Sequence, residues 1–121
     1  SGDITAEGDV IAYRSSDERY KENIINISDP LNKLKSIGGY TYDWNDKAPS
    51  WTKSRTTGSL HDVGVIAQEI KKILPEAIRV RTNGFLAVSY ERLIPLLIEG
   101  IKDQQNMIEN LELRIEKLED K

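Results

Sequence analysis

Ser16 and Lys21, five residues apart, are the pair in this chain whose types and spacing could do chemistry. A serine hydroxyl attacks a carbonyl only once a base takes its proton. The usual base is histidine, present here only as His61. A Ser-His-Asp arrangement would need His61 to dock beside Ser16 with Asp17, Asp43 or Asp62 behind it. A lysine serves instead where burial lowers an amine pKa from about 10.4 towards 7, a change of roughly 4 to 5 kcal/mol, so such a site is largely dry. Positions i and i+5 of an α-helix lie about 140° apart and do not face each other. Pairing within one chain therefore requires Ser16 to end an extended arm, with a helical or tight turn starting near Asp17 to fold Lys21 back. A Lys21 reaching the Ser16 of a neighbouring chain would also bring the two together, and the sequence leaves both routes open. It also leaves open a plainer reading as a helix N-terminus. Ser16 or Asp17 would then be the cap, Glu18 would sit in the first turn, and Arg19, Lys21 and Glu22 would form a solvated charged face.

The elements that must position these groups begin upstream. Gly2-Asp3-Ile4-Thr5-Ala6 and Gly8-Asp9-Val10-Ile11-Ala12 are two copies of a six-residue unit whose apolar positions keep a period of two. They read as short strands with turns. Two copies bury too little to stand alone, so the segment reads as the last rungs of a longer β stalk, with an ordinary hairpin as the alternative. Downstream, Ser28 or Asp29 can cap a helix over residues 28–39, Pro30 suits its first position, and Gly38-Gly39 supply a stop. Leu31, Leu34 and Ile37 then share one face. Tyr40, Tyr42 and Trp44 alternate with polar residues as the aromatic face of a half-buried strand, and residues 46–61 read as a long loop. Residues 63–66 make a short strand, and residues 67–74 a helix that stops before Pro75. Thr82-Asn83-Gly84 turns a hairpin between residues 77–81 and 85–89.

From Ser89, a cap candidate, one helix is predicted to run almost to Lys121, with Pro95 tolerated near its start or bending it. Ile94, Ile101, Ile108 and Ile115 take heptad position a, and Leu97, Gln104, Leu111 and Leu118 take position d. Seven of these eight are apolar. Four heptads make a rod of roughly 42 Å, longer than so small a body can cover, so self-association is expected. Arg114 at g and Glu119 at the following e pair across a parallel interface. Isoleucine at a with leucine at d favours two strands, and Gln104 adds a polar layer that sets register at a cost in stability.

Composition bounds the rest. The 121 residues hold one domain at most once the repeats and the rod are set aside, and the remaining body of roughly 80 residues is marginal as a lone core. A net charge of −3 with scattered basic residues makes nucleic acid an unsuitable partner. Cysteine is absent, so neither disulfides nor thiolate chemistry is available. No apolar run approaches the roughly 20 residues that span a bilayer, and the N-terminus carries no targeting pattern, so a soluble chain with no membrane partner is expected. There is no P-loop and no metal-ligand cluster, so no cofactor or metal is expected. A conventional hydrolase or sugar-binding module is disfavoured by the single histidine and by the lack of a paired-carboxylate motif.

Ser16-Asp17-Glu18-Arg19-Tyr20-Lys21-Glu22-Asn23-Ile24 resembles the junction of the endosialidase-type intramolecular chaperones found at the C-termini of phage tail spikes, tail fibres and neck appendages, whose usual form reads SDERLKENI. Tyr20 is the one departure. Gly64-Val65-Ile66-Ala67-Gln68-Glu69, Pro75-Glu76, and Val88-Ser89-Tyr90 with Leu93-Ile94-Pro95-Leu96-Leu97 are similar to the same family, in the same order. The cassette also occurs in a membrane-tethered eukaryotic transcription factor, but the Gly-Asp repeats suit a viral fibre better.

The resemblance implies an α+β fold and a parallel homotrimer. Residues 1–15 would be the end of a β-rich stalk, residues 16–90 a small chaperone body and residues 91–121 a trimeric coiled coil. It also implies that Ser16 is the nucleophile, Lys21 the general base and Ser15-Ser16 the scissile bond. The chain would register its own stalk in the host cytoplasm, cut itself free and leave the stalk on the virion tail. The alternative is a structural trimerisation or receptor-binding tip that never cuts. The trimer of the resemblance and the dimer tendency of the a/d residues disagree; three-fold symmetry imposed by a stalk favours the trimer.

Overall fold

Short strands paired in twos and helices of unequal length follow one another in the computed structural model, which describes residues 15–49, 52 and 59–120. The Gly-Asp repeats and much of the loop at residues 46–61 lie outside the described residues. The chain divides into two units, one made of Ser1–Ile25 with Tyr40–Gly64 and the other of Asn26–Gly39 with Val65–Lys121.

In the first unit a single 3-10 turn, Glu18–Tyr20, precedes the antiparallel pair β1 (Tyr40–Asp43) and β2 (His61–Gly64). Tyr40 pairs with Gly64 and Asp43 with His61. The Trp44 N–H donates to the Leu60 carbonyl at 2.8 Å and carries the pairing one residue further. The predicted aromatic face is partly realised. Tyr42 and Trp44 are half-buried and meet edge to face at 5.0 Å, whereas Tyr40 is exposed. The second strand lies two residues earlier than the predicted 63–66, because Gly64 is the last residue with a partner on β1. Val65 and Ile66 instead lead into the next helix. None of the described residues of this unit is buried.

The second unit holds the core. Here α1 (Pro30–Lys35) and α2 (Ala67–Ile73) are followed by a 3-10 turn at Pro75–Ala77. The hairpin of β3 (Ile78–Val80) and β4 (Leu86–Val88) comes next, then a second 3-10 turn at Tyr90–Leu93, then the 26-residue α3 (Ile94–Glu119). Ile70, Leu74, Ala77 and Leu96 are buried together, and Ile27, Leu34, Ile37, Val65, Ile73, Ile78, Val88 and Leu93 pack around them. Two signals act where predicted. Pro75 ends α2 at Ile73, and Gly84 takes φ +85° in the turn between β3 and β4, where its N–H donates to the Arg81 carbonyl at 2.9 Å.

Three predicted helix signals act differently. Asp29 holds the N-cap position of α1 in a left-handed conformation (φ 50°), but its carboxylate accepts from the Asn32 side chain at 2.9 Å and does not cap a backbone N–H. That helix stops at Ser36, whose hydroxyl turns back to the Lys33 carbonyl at 2.7 Å, before Gly38-Gly39 is reached. The Ser89 hydroxyl goes to the Glu91 carboxylate, so Ser89 opens a 3-10 turn and α3 starts only at Ile94. Pro95 then lies in the first turn of α3, where an α-helix has no use for its missing N–H. No described helix is long and apolar enough to cross a membrane.

Candidate active site

Ser16 lies outside the 3-10 turn, before its N-cap, as pairing within one chain requires. Asp17 is the N-cap of that turn (φ −65°, ψ 129°). The Tyr20 N–H donates to the Asp17 carbonyl at 3.1 Å and the Lys21 N–H to the Glu18 carbonyl at 3.0 Å, which tightens the four residues between Ser16 and Lys21. Lys21 then returns to extended backbone (φ −120°, ψ 145°), and its Nζ donates to Ser16 Oγ at 2.8 Å. The structure thus brings Ser16 and Lys21 of one chain into direct contact.

Both partners are exposed, so this chain by itself lacks the dryness that a lysine base requires. His61 is engaged elsewhere. Its Nδ1 lies 2.8 Å from Asp43 Oδ1 across the β1–β2 pair, one of the carboxylates considered for a triad, while Ser16 is held by Lys21. Ser15, on the other side of the candidate scissile bond, is also exposed. Among the described residues there is no cluster of potential metal ligands.

Sequence reasoning missed the side-chain fork inside the turn. Asp17 Oδ1 accepts from the Arg19 N–H at 2.9 Å and from Arg19 Nε at 3.0 Å, and Asp17 Oδ2 accepts from Arg19 Nη2 at 2.8 Å. The Arg19 side chain, and after it the Arg19 N–H, holds the Asp17 carboxyl below its ordinary range. Asp17 in turn raises Arg19 above its own. The bond from the Arg19 N–H makes Asp17 the cap that the sequence offers, whereas the fork to the guanidinium has no regular-helix pairing signal at i, i+2.

The predicted seam lies on α3. Ile94, Leu97, Ile101, Ile108, Leu111, Ile115 and Leu118 are between 48% and 65% exposed, and Gln104 is exposed among them. Roughly a third of a turn away on the same helix, Leu96 and Gly100 are buried against the second unit. A methyl group on Gly100 would collide with Leu34 Cδ1. Glu99, on the flank of that face, accepts from Asn26 Nδ2 at 2.9 Å. The heptad reading gave Gly100 no role, although a glycine in mid-helix is itself a signal of close approach.

Residues 16–79, more than half of the chain, match the family described as chaperone of endosialidase. The chain belongs to that family. As an endosialidase-type chaperone, it is 30% identical over 110 residues to the long tail fibre protein Gp37 of Enterobacteria phage K3, a match covering 85% of this chain and 8% of that protein. It is 28% identical over 109 residues to Gp37 of Salmonella phage S16, covering 88% of the chain and 14% of the protein. An uncharacterised membrane protein of Dictyostelium discoideum is 27% identical over 118 residues, covering 92% of the chain and 6% of that protein. The chain thus spans only a small part of each of these relatives. The family match begins at Ser16.

Proposed function

We propose that the chain is a trimerising chaperone segment of a phage tail fibre that releases itself by cutting the Ser15-Ser16 bond. The observation that carries the reading is the 2.8 Å contact from Lys21 Nζ to Ser16 Oγ, formed within one chain by a turn too tight for an α-helix. In the proposed reaction a neutral Lys21 amine takes the hydroxyl proton while Ser16 Oγ bonds to the Ser15 carbonyl carbon. The tetrahedral adduct collapses by breaking the Ser15–Ser16 C–N bond, and the Ser16 nitrogen leaves with a proton as a free amine. The ester left on Ser16 Oγ is hydrolysed by water, which gives Ser15 a carboxylate and restores the hydroxyl. Because both groups are exposed on the single chain, the water exclusion that favours a neutral amine must come from neighbouring chains, which makes cutting follow assembly.

Assembly is assigned to α3, whose exposed a/d seam supplies the parallel coiled coil, with residues 16–90 as the body and residues 1–15 as the end of the stalk. Joining the chains raises the local concentration of stalk strands, whose pairing over long distances is otherwise slow. Once the bond is cut, the stalk is held by its unfolding barrier alone. In this proposal folding takes place in the host cytoplasm, the stalk is retained on the tail and the chaperone part is shed.

The exposure of Ser16 and Lys21 also favours a second reading, a permanent trimerisation or receptor-binding tip in which they are a solvated turn. Stalk plus chaperone on a denaturing gel separates the two. Two bands are expected for the wild type and one each for Ser16→Ala and Lys21→Ala. Processing of both variants at the wild-type level overturns the dyad.

A further inference from the structure

We propose that Asp17 and Arg19 are positioning residues for the self-cleavage reaction, their paired side chains locking the turn that returns Lys21 to Ser16. The inference rests on the dyad reading above.

The turn has little else to hold it. It is one 3-10 turn of three residues, with no buried side chain and two backbone hydrogen bonds. A single turn is costly to nucleate in water, because several dihedral angles are fixed for each bond gained. The Asp17 carboxylate supplies three further bonds, all to Arg19. One comes from the backbone N–H inside the turn and two from the guanidinium, in the fork geometry that makes Arg–carboxylate pairs directional. The bond from the Arg19 N–H to Asp17 Oδ1 breaks if the backbone opens towards a strand, and the guanidinium fork holds the carboxylate where that bond can form. Loss of the turn would restore an extended chain in which Ser16 and Lys21 are far apart.

The fork also disposes of a competitor. A carboxylate one residue from the nucleophile is a natural ion-pair partner for a lysine amine, and an amine so paired is kept charged and unfit as a base. With both Asp17 oxygens committed to Arg19, the Lys21 amine is left to Ser16. The lowered pKa of Asp17 and the raised pKa of Arg19 keep the pair ionised through the neutral range.

The test is single-turnover cutting of the full chain, started by dilution from denaturant, alongside self-association by sedimentation equilibrium. Asp17→Ala and Arg19→Ala are each expected to slow cutting by about a hundredfold, the scale of a misplaced catalytic group. The double variant should be no slower than either single one, and association should be unchanged throughout. Asp17→Asn, whose amide oxygen still accepts from the Arg19 N–H, should recover part of the rate, a rescue that general destabilisation would not give. In the uncut Ser16→Ala background, Asp17→Ala should speed exchange of the Tyr20 and Lys21 amide protons.

Cutting of Asp17→Ala at the wild-type rate, with Ser16→Ala and Lys21→Ala inert, overturns the positioning role and leaves the dyad standing. A rate loss that runs parallel to weakened association overturns it too. If Ser16→Ala and Lys21→Ala are themselves cut normally, the dyad fails and the positioning role falls with it, whatever the amide exchange shows.

Discussion

The two halves of α3 carry the same heptad of isoleucine and leucine, yet they are placed differently. In the first half, Leu96 and Gly100 turn inward onto α1 and the core of the second unit, while Ile94, Leu97 and Ile101 on an adjacent face stay exposed. From Gln104 to Asp120 every residue is exposed, so the second half has only the outward seam. One helix therefore presents a buried face and an exposed apolar face at its start and only the exposed one at its end. The seam is continuous along both halves, whereas the inward face stops within three turns, which is why heptad letters alone do not distinguish them.

That contrast can be broken from either end. The largest expected effect is on the free half. Ile108→Asp would set a carboxylate into each layer of the proposed seam, where an unpaired buried charge costs several kcal/mol, so association should weaken on the order of a thousandfold. Sedimentation equilibrium reads this, and the urea midpoint of the isolated chain should stay put. Association unchanged by Ile108→Asp would mean that the seam is not the contact.

On the packed half, Leu96→Ala removes a wholly buried side chain and should cost about 3 kcal/mol of stability, measured by urea unfolding below the association range. The smallest effect is also the most discriminating. Gly100→Ala would gain about 1 kcal/mol in an exposed helix, but here the new methyl meets Leu34 Cδ1, and a net loss of about 1 kcal/mol is expected. A gain would show that Leu34 yields freely and that the two halves differ less than their burial suggests.

What the sequence made legible was local. Asn83-Gly84 announced its turn because a positive φ at Gly84 needs no other part of the molecule. Pro75 ended α2 for a reason confined to its neighbouring residue. The demand that Ser16 sit outside a helix with a tight turn after it came from spacing alone, and the 3-10 turn at Glu18–Tyr20 meets it.

Where structure and sequence expectation part, the outcome depended on choices between competing partners. Gly38-Gly39 could have stopped α1, but the Ser36 hydroxyl reached the Lys33 carbonyl first, and the Gly38 N–H went to Glu69 at 3.0 Å, 31 residues away in sequence. Ser89 could have capped α3, but a nearby glutamate took its hydroxyl. Gly100 is explained only by Leu34, 66 positions earlier, and no periodicity in the helix itself points there. The Asp17–Arg19 fork lay in plain view as residue types but has no repeat to reveal it.

The run-up to α3 is fastened twice within its own unit. The Tyr90 hydroxyl accepts from the Val65 N–H at 3.2 Å, and Arg92 Nη1 donates to the Glu76 carbonyl at 2.8 Å. With those two rivets and the Leu96 anchor behind them, the rod is no swivelling tether. A load applied along its free length would pass to the chain entering α2 and to the turn leaving it, since those are the segments its base is bonded to.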